Sequence, residues 1–571
     1  MPHLFSKLPK PPPRRYLRRD LDCSRLKELI PIHEELLERK LPTVKAVRKW
    51  LDDIKELSVA LGEYDSMAYI RKTVNVRDRK AQAAYLHLIQ KVQPGLAMYK
   101  DKLNRRLLRH PLRRGFPKRW SLMLKSRQNA VDLFREKNIP LERQAEEVVL
   151  RYTQLMGSLE VMFEGRKQTL VQMGVYSERT DRDLRQRAWV ATARRRFEEK
   201  DRIDGIYDRL VRLRARIARN AGFSNFRDYC HRKYDRFDYT PRDCFVFHDA
   251  VEEVVLPAVR QFRQRRRREM GLATLKPWDL AVDPLSRPPL RPFRNGAELA
   301  RKTARIFRRL DGALGRQFEI LVRHGLLDLD NRPGKEPSGY QSTLEERQLP
   351  FIFMNAVGRD TDIRTLLHEA GHAFHTLATR HESILDYRHA PMEFCEVASM
   401  SMELLPNCLK DTFYSDGADL ERSMQMQMEL TLELLPWIAM IDAFQQWIYT
   451  HPAHTHAGRR DVWMQLRRRF ADDADWSAHR PFEETLWQRQ MHLFGLPFYY
   501  IEYGVAQLGA LMVWNRARKN PTAALAAYKK ALRLGGSVGL KKLFRAAGGR
   551  LDFSARSMRP LVDAVTEQLG D

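Results

Sequence analysis

A His-Glu-Ala-Gly-His run at residues 368–372 combines metal-binding and acid-base side chains at a spacing that zinc chemistry can use. Residues four apart lie on one face of an α-helix, so the imidazoles of His368 and His372 can bind one metal ion while Glu369 projects beside them. Apolar residues recur at intervals of three and four around the run, which predicts a buried helix with Thr361 as its N-cap. The pattern favours a zinc site, and its alternative is an ordinary amphipathic helix with two packed histidines.

A third ligand has to come from another segment, because a catalytic zinc ion usually has three protein ligands and one position open to water. His375 lies seven residues from His368, about 10 Å along a helix, which is too far for both to bind one ion. A second predicted helix begins at Pro391 and carries Glu396 between apolar residues, where a carboxylate needs a partner such as zinc. Glu403 shares that helix face, and it either supports the site or forms an ordinary surface ion pair.

These segments resemble the oligoendopeptidase F branch of the thimet-type zinc oligopeptidases. The resemblance rests on the His-Glu-Ala-Gly-His run and on Pro-Met-Glu-Phe-Cys-Glu-Val-Ala-Ser-Met-Ser-Met-Glu-Leu at 391–404. It extends through Pro-Trp-Asp at 277–279, the proline-rich stretch 283–293, and the segments 349–355 and 497–503, and covers roughly residues 170 to 560.

The resemblance implies a zinc-dependent endopeptidase that hydrolyses short oligopeptides inside the cell. His368, His372 and Glu396 would hold one Zn²⁺ per chain, and Glu369 would be the general base that takes a proton from a water activated by the zinc. The implied fold class is mostly α: a two-lobed, helical zincin-type metallopeptidase with a small β-sheet beside the active-site helix and a central substrate channel.

The resemblance also implies further catalytic residues around position 500. His492, Tyr499 and Tyr503 would stabilise the tetrahedral intermediate of peptide hydrolysis. Tyr499 and Tyr503 are four apart and would share one helix face, whereas Tyr500 lies about 100° away. Which of the three tyrosines faces the zinc stays open.

Composition and periodicity suggest three parts. Residues 1–19 form a basic, proline-rich arm that we expect to be poorly ordered. Helical periodicity predicts an N-terminal helical domain over 20–170, and the catalytic domain then occupies 171–571. The apolar segment 349–354 is the clearest strand candidate, either as an ordinary core strand or as an exposed edge on which an extended peptide could pair.

The chain has 571 residues and five cysteines without a C-x-x-C pair, which favours reduced thiols. No apolar run is long enough for a membrane helix, and the first residues lack the apolar core of a secretory signal. We therefore expect a cytoplasmic protein that acts on oligopeptides and binds neither a membrane nor a specific nucleic acid.

The net charge of +29 supports the main competing function. Arginine runs at 194–196, 265–268 and 467–469 could bind phosphates as part of a nucleic-acid-binding scaffold. Interleaved acidic residues instead indicate solvated helix faces. Another alternative is a zinc-fold protein that binds peptides without turnover, but such a protein would not need Glu369.

Overall fold

The computed structural model describes residues 5–471 and 473–570 and is mostly helical with two small sheets. This confirms the predicted class, a mostly α fold with a small sheet. The helices are, in chain order, α1 Leu26–Glu38, α2 Val44–Val74, α3 Arg79–His87, α4 Gln93–Leu108, α5 Ser121–Leu133, α6 Ile139–Ser158, α7 Leu170–Met173, α8 Arg182–Phe197, α9 Lys200–Asn220, α10 Phe226–Lys233, α11 Pro241–Ala250, α12 Leu256–Glu269, α13 Gly296–Leu310, α14 Gly312–Arg323, α15 Asp360–Thr379, α16 Met392–Leu404, α17 Gly417–Thr450, α18 His456–Arg469, α19 Arg480–Glu484, α20 Met491–Gly495, α21 Tyr500–Lys519, α22 Pro521–Leu534, α23 Leu540–Ala546 and α24 Ala555–Leu569.

The strands are β1 Glu160–Phe163, β2 Arg166–Thr169, β3 Leu327–Asp330, β4 Tyr340–Leu344 and β5 Leu349–Ala356. β1 and β2 form an antiparallel pair. The other three form a sheet in the order β3-β5-β4, in which β5 is parallel to β3 and antiparallel to β4.

The chain groups into two compact, discontinuous units. Unit 1 consists of residues 1–139, 291–420 and 509–551, and unit 2 of residues 140–290, 421–508 and 552–571. The division of the sequence into 1–19, 20–170 and 171–571 stays a prediction.

The N-terminal helices of unit 1 form where the sequence predicts them. Thr43 caps α2, its hydroxyl accepting the backbone N–H of Ala46 at 3.1 Å, and the buried positions of α2 recur at helical spacing. Trp50 is fully buried in the core of these helices, and its indole N–H donates to the carbonyl of Leu36. Tyr387, from a distant part of the sequence, completes the same core.

The predicted strand at 349–354 is confirmed as β5, but the expectation that it offers an exposed edge is wrong. β5 is the central strand and pairs on both sides, so its backbone has no open edge. Its side chains are almost all buried, and one of its neighbours is α15. The edges of this sheet are β3 and β4.

The helix of the His-Glu-Ala-Gly-His run is confirmed as α15, but Thr361 is not its N-cap. The N-cap is Arg359 and the helix starts at Asp360, two residues earlier than a cap at Thr361 would place it. The side chain of Asp362 accepts the backbone N–H groups of Val357 and Arg359 at 2.8 and 2.9 Å. This carboxylate satisfies the N–H groups before the first turn, so the threonine hydroxyl is not needed there. The second predicted helix is α16, which follows Pro391.

The expected disorder of the arm is wrong for its described part, residues 5–19, while residues 1–4 lie outside the described residues. The carboxylate of Glu56 accepts three successive backbone N–H groups, from Arg15, Tyr16 and Leu17. Leu17 is buried, and Arg14 forms an ion pair with Glu346 at 2.6 Å. The arm is therefore packed against the rest of unit 1. Among the residues that the structure describes, none of the helices has the length and apolar character to span a bilayer.

Candidate functional site

The candidate site lies where α15 and α16 meet in unit 1. At the crossing, Gly371 approaches the backbone of α16 so closely that a Cβ atom on it would lie 2.5 Å from Cα of Ser399 and 2.6 Å from the carbonyl oxygen of Ala398. Only glycine fits this contact without displacing a helix. The glycine inside the His-Glu-Ala-Gly-His run therefore sets the spacing of the two helices that carry the candidate ligands.

Three predicted metal ligands converge at this crossing. Nε2 of His368 and Nε2 of His372 lie 3.4 and 3.6 Å from the same carboxylate oxygen, Oε2 of Glu396. The ligand atoms of the three residues all lie within 4.8 Å of one another. Glu396 is buried, and the two histidines are half-buried.

The donor set fits a tetrahedral zinc ion. Two ligand atoms, each about 2.1 Å from such an ion, lie about 3.4 Å apart, which matches the separations between the imidazole nitrogens and the carboxylate. Two neutral imidazoles and one carboxylate also correspond to a common ligand set of catalytic zinc, with one position left for water or substrate.

Polar neighbours orient the ligands. Oε1 of Glu403 lies 2.7 Å from Nδ1 of His368, and Nη1 of Arg364 lies 3.6 Å from the other oxygen of Glu403. The hydroxyl of Ser399 donates to Oε2 of Glu396 at 3.1 Å. Ligating histidines commonly donate their second N–H to a carboxylate, which fixes the ring's tautomer and orientation.

The role of Glu403 was open from the sequence, and the contributions of Ser399, Arg364 and Gly371 were not predicted from it. Helical spacing offered a signal, because Arg364 precedes His368 by four residues and Ser399 follows Glu396 by three. The contact of Gly371 with α16 had no local signal, since it depends on how two helices pack.

Burial and charge shape the protonation of the site before any metal binds. Burial raises the pKa of Glu369 above its usual range, which suits a carboxylate that has to accept a proton near neutral pH. Burial also raises the pKa of Glu396, but the charge of His372 and the hydrogen bonds of both histidines outweigh burial and hold that pKa well below its usual range. Glu396 is therefore ionised and ready to bind a cation.

Unit 2 brings the other predicted catalytic residues together as a cluster of four rings. The centroid of His492 lies 6.0, 5.1 and 5.7 Å from those of Tyr499, Tyr500 and Tyr503, and Tyr499 and Tyr503 are 5.3 Å apart. The rings of Tyr499 and Tyr503 therefore meet as their spacing predicts, although Tyr499 is the residue directly before α21, which begins at Tyr500. Phe498, in the turn before Tyr499, has a positive φ of 62°.

The proton on His492 can be assigned from its neighbour. The side-chain amide nitrogen of Gln490 lies 2.9 Å from Nδ1 of His492, and an amide nitrogen can only donate. Nδ1 is therefore the acceptor, and the neutral ring carries its proton on Nε2. Burial raises the pKa of Tyr500 to about 12, so its phenol stays protonated.

Comparison with known proteins places this architecture among the oligoendopeptidase-type peptidases. The solved structure of Pz peptidase A with an inhibitor superposes with a TM-score of 0.91 at 28% identity, covering 97% of this chain and 98% of that one. Among curated relatives, the oligoendopeptidase F homolog of Borreliella burgdorferi is 22% identical over 453 residues, 72% of each chain. The homolog of Lactococcus lactis is 25% identical over 180 residues, so the match spans 30% of this chain and only 28% of the length of that relative.

The profile of Peptidase family M3 matches residues 175–561, and that of the Peptidase M3 N-terminal domain matches residues 22–134. The chain belongs to Peptidase family M3, and within it to the oligoendopeptidase F branch.

Proposed function

We propose that the protein is a zinc-dependent endopeptidase that hydrolyses short oligopeptides in the cytoplasm. The observation that carries this proposal is the convergence of His368, His372 and Glu396 within 4.8 Å at the helix crossing, with Glu369 on the same turn of α15. Membership of Peptidase family M3 supports peptide bonds as the substrate class.

A zinc ion bound by these three residues would act as a Lewis acid that polarises the scissile carbonyl and acidifies water. The carboxylate of Glu369 accepts a proton from the attacking water and delivers it to the amine that leaves. Because burial already raises the pKa of this carboxylate, it holds the proton more readily than an exposed glutamate would. Glu403 keeps His368 in the tautomer whose Nε2 faces Glu396.

The edge strand β4 offers backbone groups with which an extended peptide substrate could pair. Pro350 has no N–H, so its pair with Thr343 is not a hydrogen-bonded pair of the ladder. The backbone N–H and carbonyl groups of Thr343 therefore point away from β5, and so do those of Gln341, two residues earlier. The Thr343 carbonyl accepts from Ser66 at 2.8 Å, and Gln341 can pair with an extended peptide. The hydroxyls of Thr343 and Thr376 lie 3.2 Å apart, which places this strand beside α15.

We further propose that His492, Tyr499 and Tyr503 donate hydrogen bonds to the oxyanion that develops during hydrolysis. The Nε2–H of His492 and the phenol groups are donors of the type that such an oxyanion needs. This assignment follows the resemblance to the family.

Metal analysis combined with peptide cleavage tests the proposal. The purified protein should contain about one zinc per chain and cleave a pool of short unstructured peptides, and a chelator should abolish cleavage until zinc is restored. Glu369→Gln should keep the zinc and lose at least about 100-fold in kcat, because an amide cannot accept the proton. Full cleavage by Glu369→Gln, or cleavage by metal-free protein, would contradict the mechanism.

A further inference from the structure

A recess in unit 1 lies between α2, α5 and the segment that connects α15 to α16. Its volume is about 270 Å³. Its lining includes the apolar residues Leu51, Ile54, Trp120, Met123, Ile384 and Leu385 beside several charged ones. The indole of Trp120 and the side chain of Met123 are buried. Apolar side chains combined with polar groups that fix a ligand's orientation are common in small-molecule sites.

The charges around the recess leave one cation in excess. Three of its four basic residues face a carboxylate: Lys55 pairs with Asp52 at 3.0 Å, Arg127 with Asp386 at 3.0 Å, and Arg119 with Glu382 at 2.6 Å. The fourth is Arg48, which is exposed and has no carboxylate within ion-pair distance among the described residues.

Arg127 is already held by its neighbours. Its Nη2 binds Asp386 and its Nη1 binds the side-chain oxygen of Asn104, which fixes the guanidinium. Arg48 is therefore the basic residue of the recess whose charge is left for a ligand.

We propose that this recess binds a small monoanion, namely a carboxylate that carries an apolar or aromatic body. The apolar lining residues would cover the body, while Arg48 would receive the carboxylate. One negative charge matches the single uncompensated cation, whereas a dianion would leave a buried negative charge unpaired. The site is separate from the candidate metal ligands, and the binding itself does not depend on the proposed peptidase function.

The position of the recess gives such a ligand a route to the metal site. Ser383, Ile384, Leu385 and Asp386 belong to the connection between α15 and α16, the two helices that hold the candidate zinc ligands. A ligand that binds the folded protein alone stabilises this connection together with the rest of unit 1.

Titration calorimetry with 3-phenylpropanoate tests the site, with 3-phenylpropanamide as the neutral probe of the same shape. The full-length protein should bind the carboxylate at least about tenfold more tightly than the amide, the factor expected from a charge-assisted hydrogen bond. Arg48→Glu should remove this preference. Lys45→Glu is the matched control, since Lys45 is an exposed residue of α2 outside the recess and its replacement changes the net charge equally.

A second variant separates this recess from any carboxylate bound at the metal site. Ser58→Phe places a ring in the recess and should abolish binding of both probes, while zinc content stays at the parental value. The proposal is overturned if the parent protein binds neither probe, if it binds both equally, or if Arg48→Glu and Ser58→Phe bind the carboxylate as the parent does.

Discussion

Glu403 is the residue whose removal should separate metal binding from catalysis most clearly. Its carboxylate holds the Nδ1 side of His368 at 2.7 Å. Glu403→Ala should lower zinc affinity by about 10- to 100-fold, because the imidazole loses its orientation and part of its basicity. Competition with a chelating dye measures this effect directly. Glu403→Gln keeps an acceptor without the charge, so its zinc affinity should lie between those of the parent protein and Glu403→Ala. Unchanged zinc affinity in both variants would show that the contact is incidental.

For the ring cluster of unit 2, we expect substitutions to change the catalytic rate and not the binding of zinc. Tyr499→Phe, Tyr503→Phe and His492→Ala should each lower kcat and kcat/KM together by about 100-fold, the usual loss when an oxyanion donor of about 3 kcal/mol is removed. KM and zinc content should stay at the values of the parent protein. Tyr500→Phe is the internal control and should have a smaller effect. If all these variants keep parental kcat but unfold at lower temperature, the cluster is a packing element only.

At the scale of single residues, sequence alone could predict what depends on local spacing. His368 and His372 are one helical turn apart, and Glu396 stands out as an acid among apolar neighbours. The spacing of four also brings the rings of Tyr499 and Tyr503 together, but the helix begins one residue later than that spacing suggests, after a turn at Phe498. Such a left-handed residue is uncommon outside glycine and carries no clear signature in a single sequence.

The crossing of α15 and α16 is the element-scale feature that the site depends on. Gly371→Ala would force a Cβ atom to within 2.6 Å of two backbone atoms of α16, so the helices must separate. We expect a loss of about 2–4 kcal/mol in the free energy of unfolding, as for an overpacked core, together with weaker zinc binding. Denaturant unfolding and dye competition measure the two effects.

Gly205→Ala is the matched control for this substitution. Gly205 lies inside α9, and nothing lies within 4 Å of the position its Cβ would take. Alanine should therefore stabilise that helix by about 0.5–1 kcal/mol. Destabilisation by Gly205→Ala, or tolerance of Gly371→Ala, would contradict the role given to the close helix contact.

Periodicity predicted the elements α15, α16 and β5 because each is determined by the residues within it. The position of β5 in its sheet could not be predicted in this way. β3 and β4 both precede β5 in sequence, and their pairing on its two sides is a nonlocal choice set by packing against α15 and α2. The edges of the sheet therefore belong to β3 and β4, and the half-buried polar pattern of β4 gave little signal.

At the scale of the whole molecule, the high positive charge is partly compensated where the sequence suggested phosphate binding. Within unit 2, Arg195 pairs with Glu199 at 3.0 Å, Arg265 with Glu429 at 2.5 Å, and Arg469 with Glu252 at 2.6 Å. Each of these arginines belongs to one of the three basic runs. A guanidinium that already has a carboxylate partner contributes less to binding a polyanion, which favours the interpretation of these runs as helix faces.

Composition alone is a poor guide to the order of the arm. Proline and arginine are typical of disordered segments, but the arm also carries Tyr16 and Leu17, which pack in the core of the N-terminal helices, and Arg14, which pairs with the distant Glu346. Unit 1 is assembled from three separate stretches of sequence, so a terminal segment can be part of its core.

Deleting residues 1–19 should therefore destabilise the protein instead of leaving it unchanged. The deletion exposes the pocket of Leu17, leaves the carboxylate of Glu56 without three N–H donors, and removes the partner of Glu346. Burial of one leucine alone is worth about 2 kcal/mol, so we expect a loss of about 3 kcal/mol in the free energy of unfolding, with a lower thermal midpoint. Leu17→Ala in the full chain should reproduce part of this loss, and Arg15→Ala, whose side chain is exposed, should not. An unchanged midpoint after the deletion would mean that these contacts contribute nothing to unit 1, and the segment would then be the dispensable arm that its composition suggests.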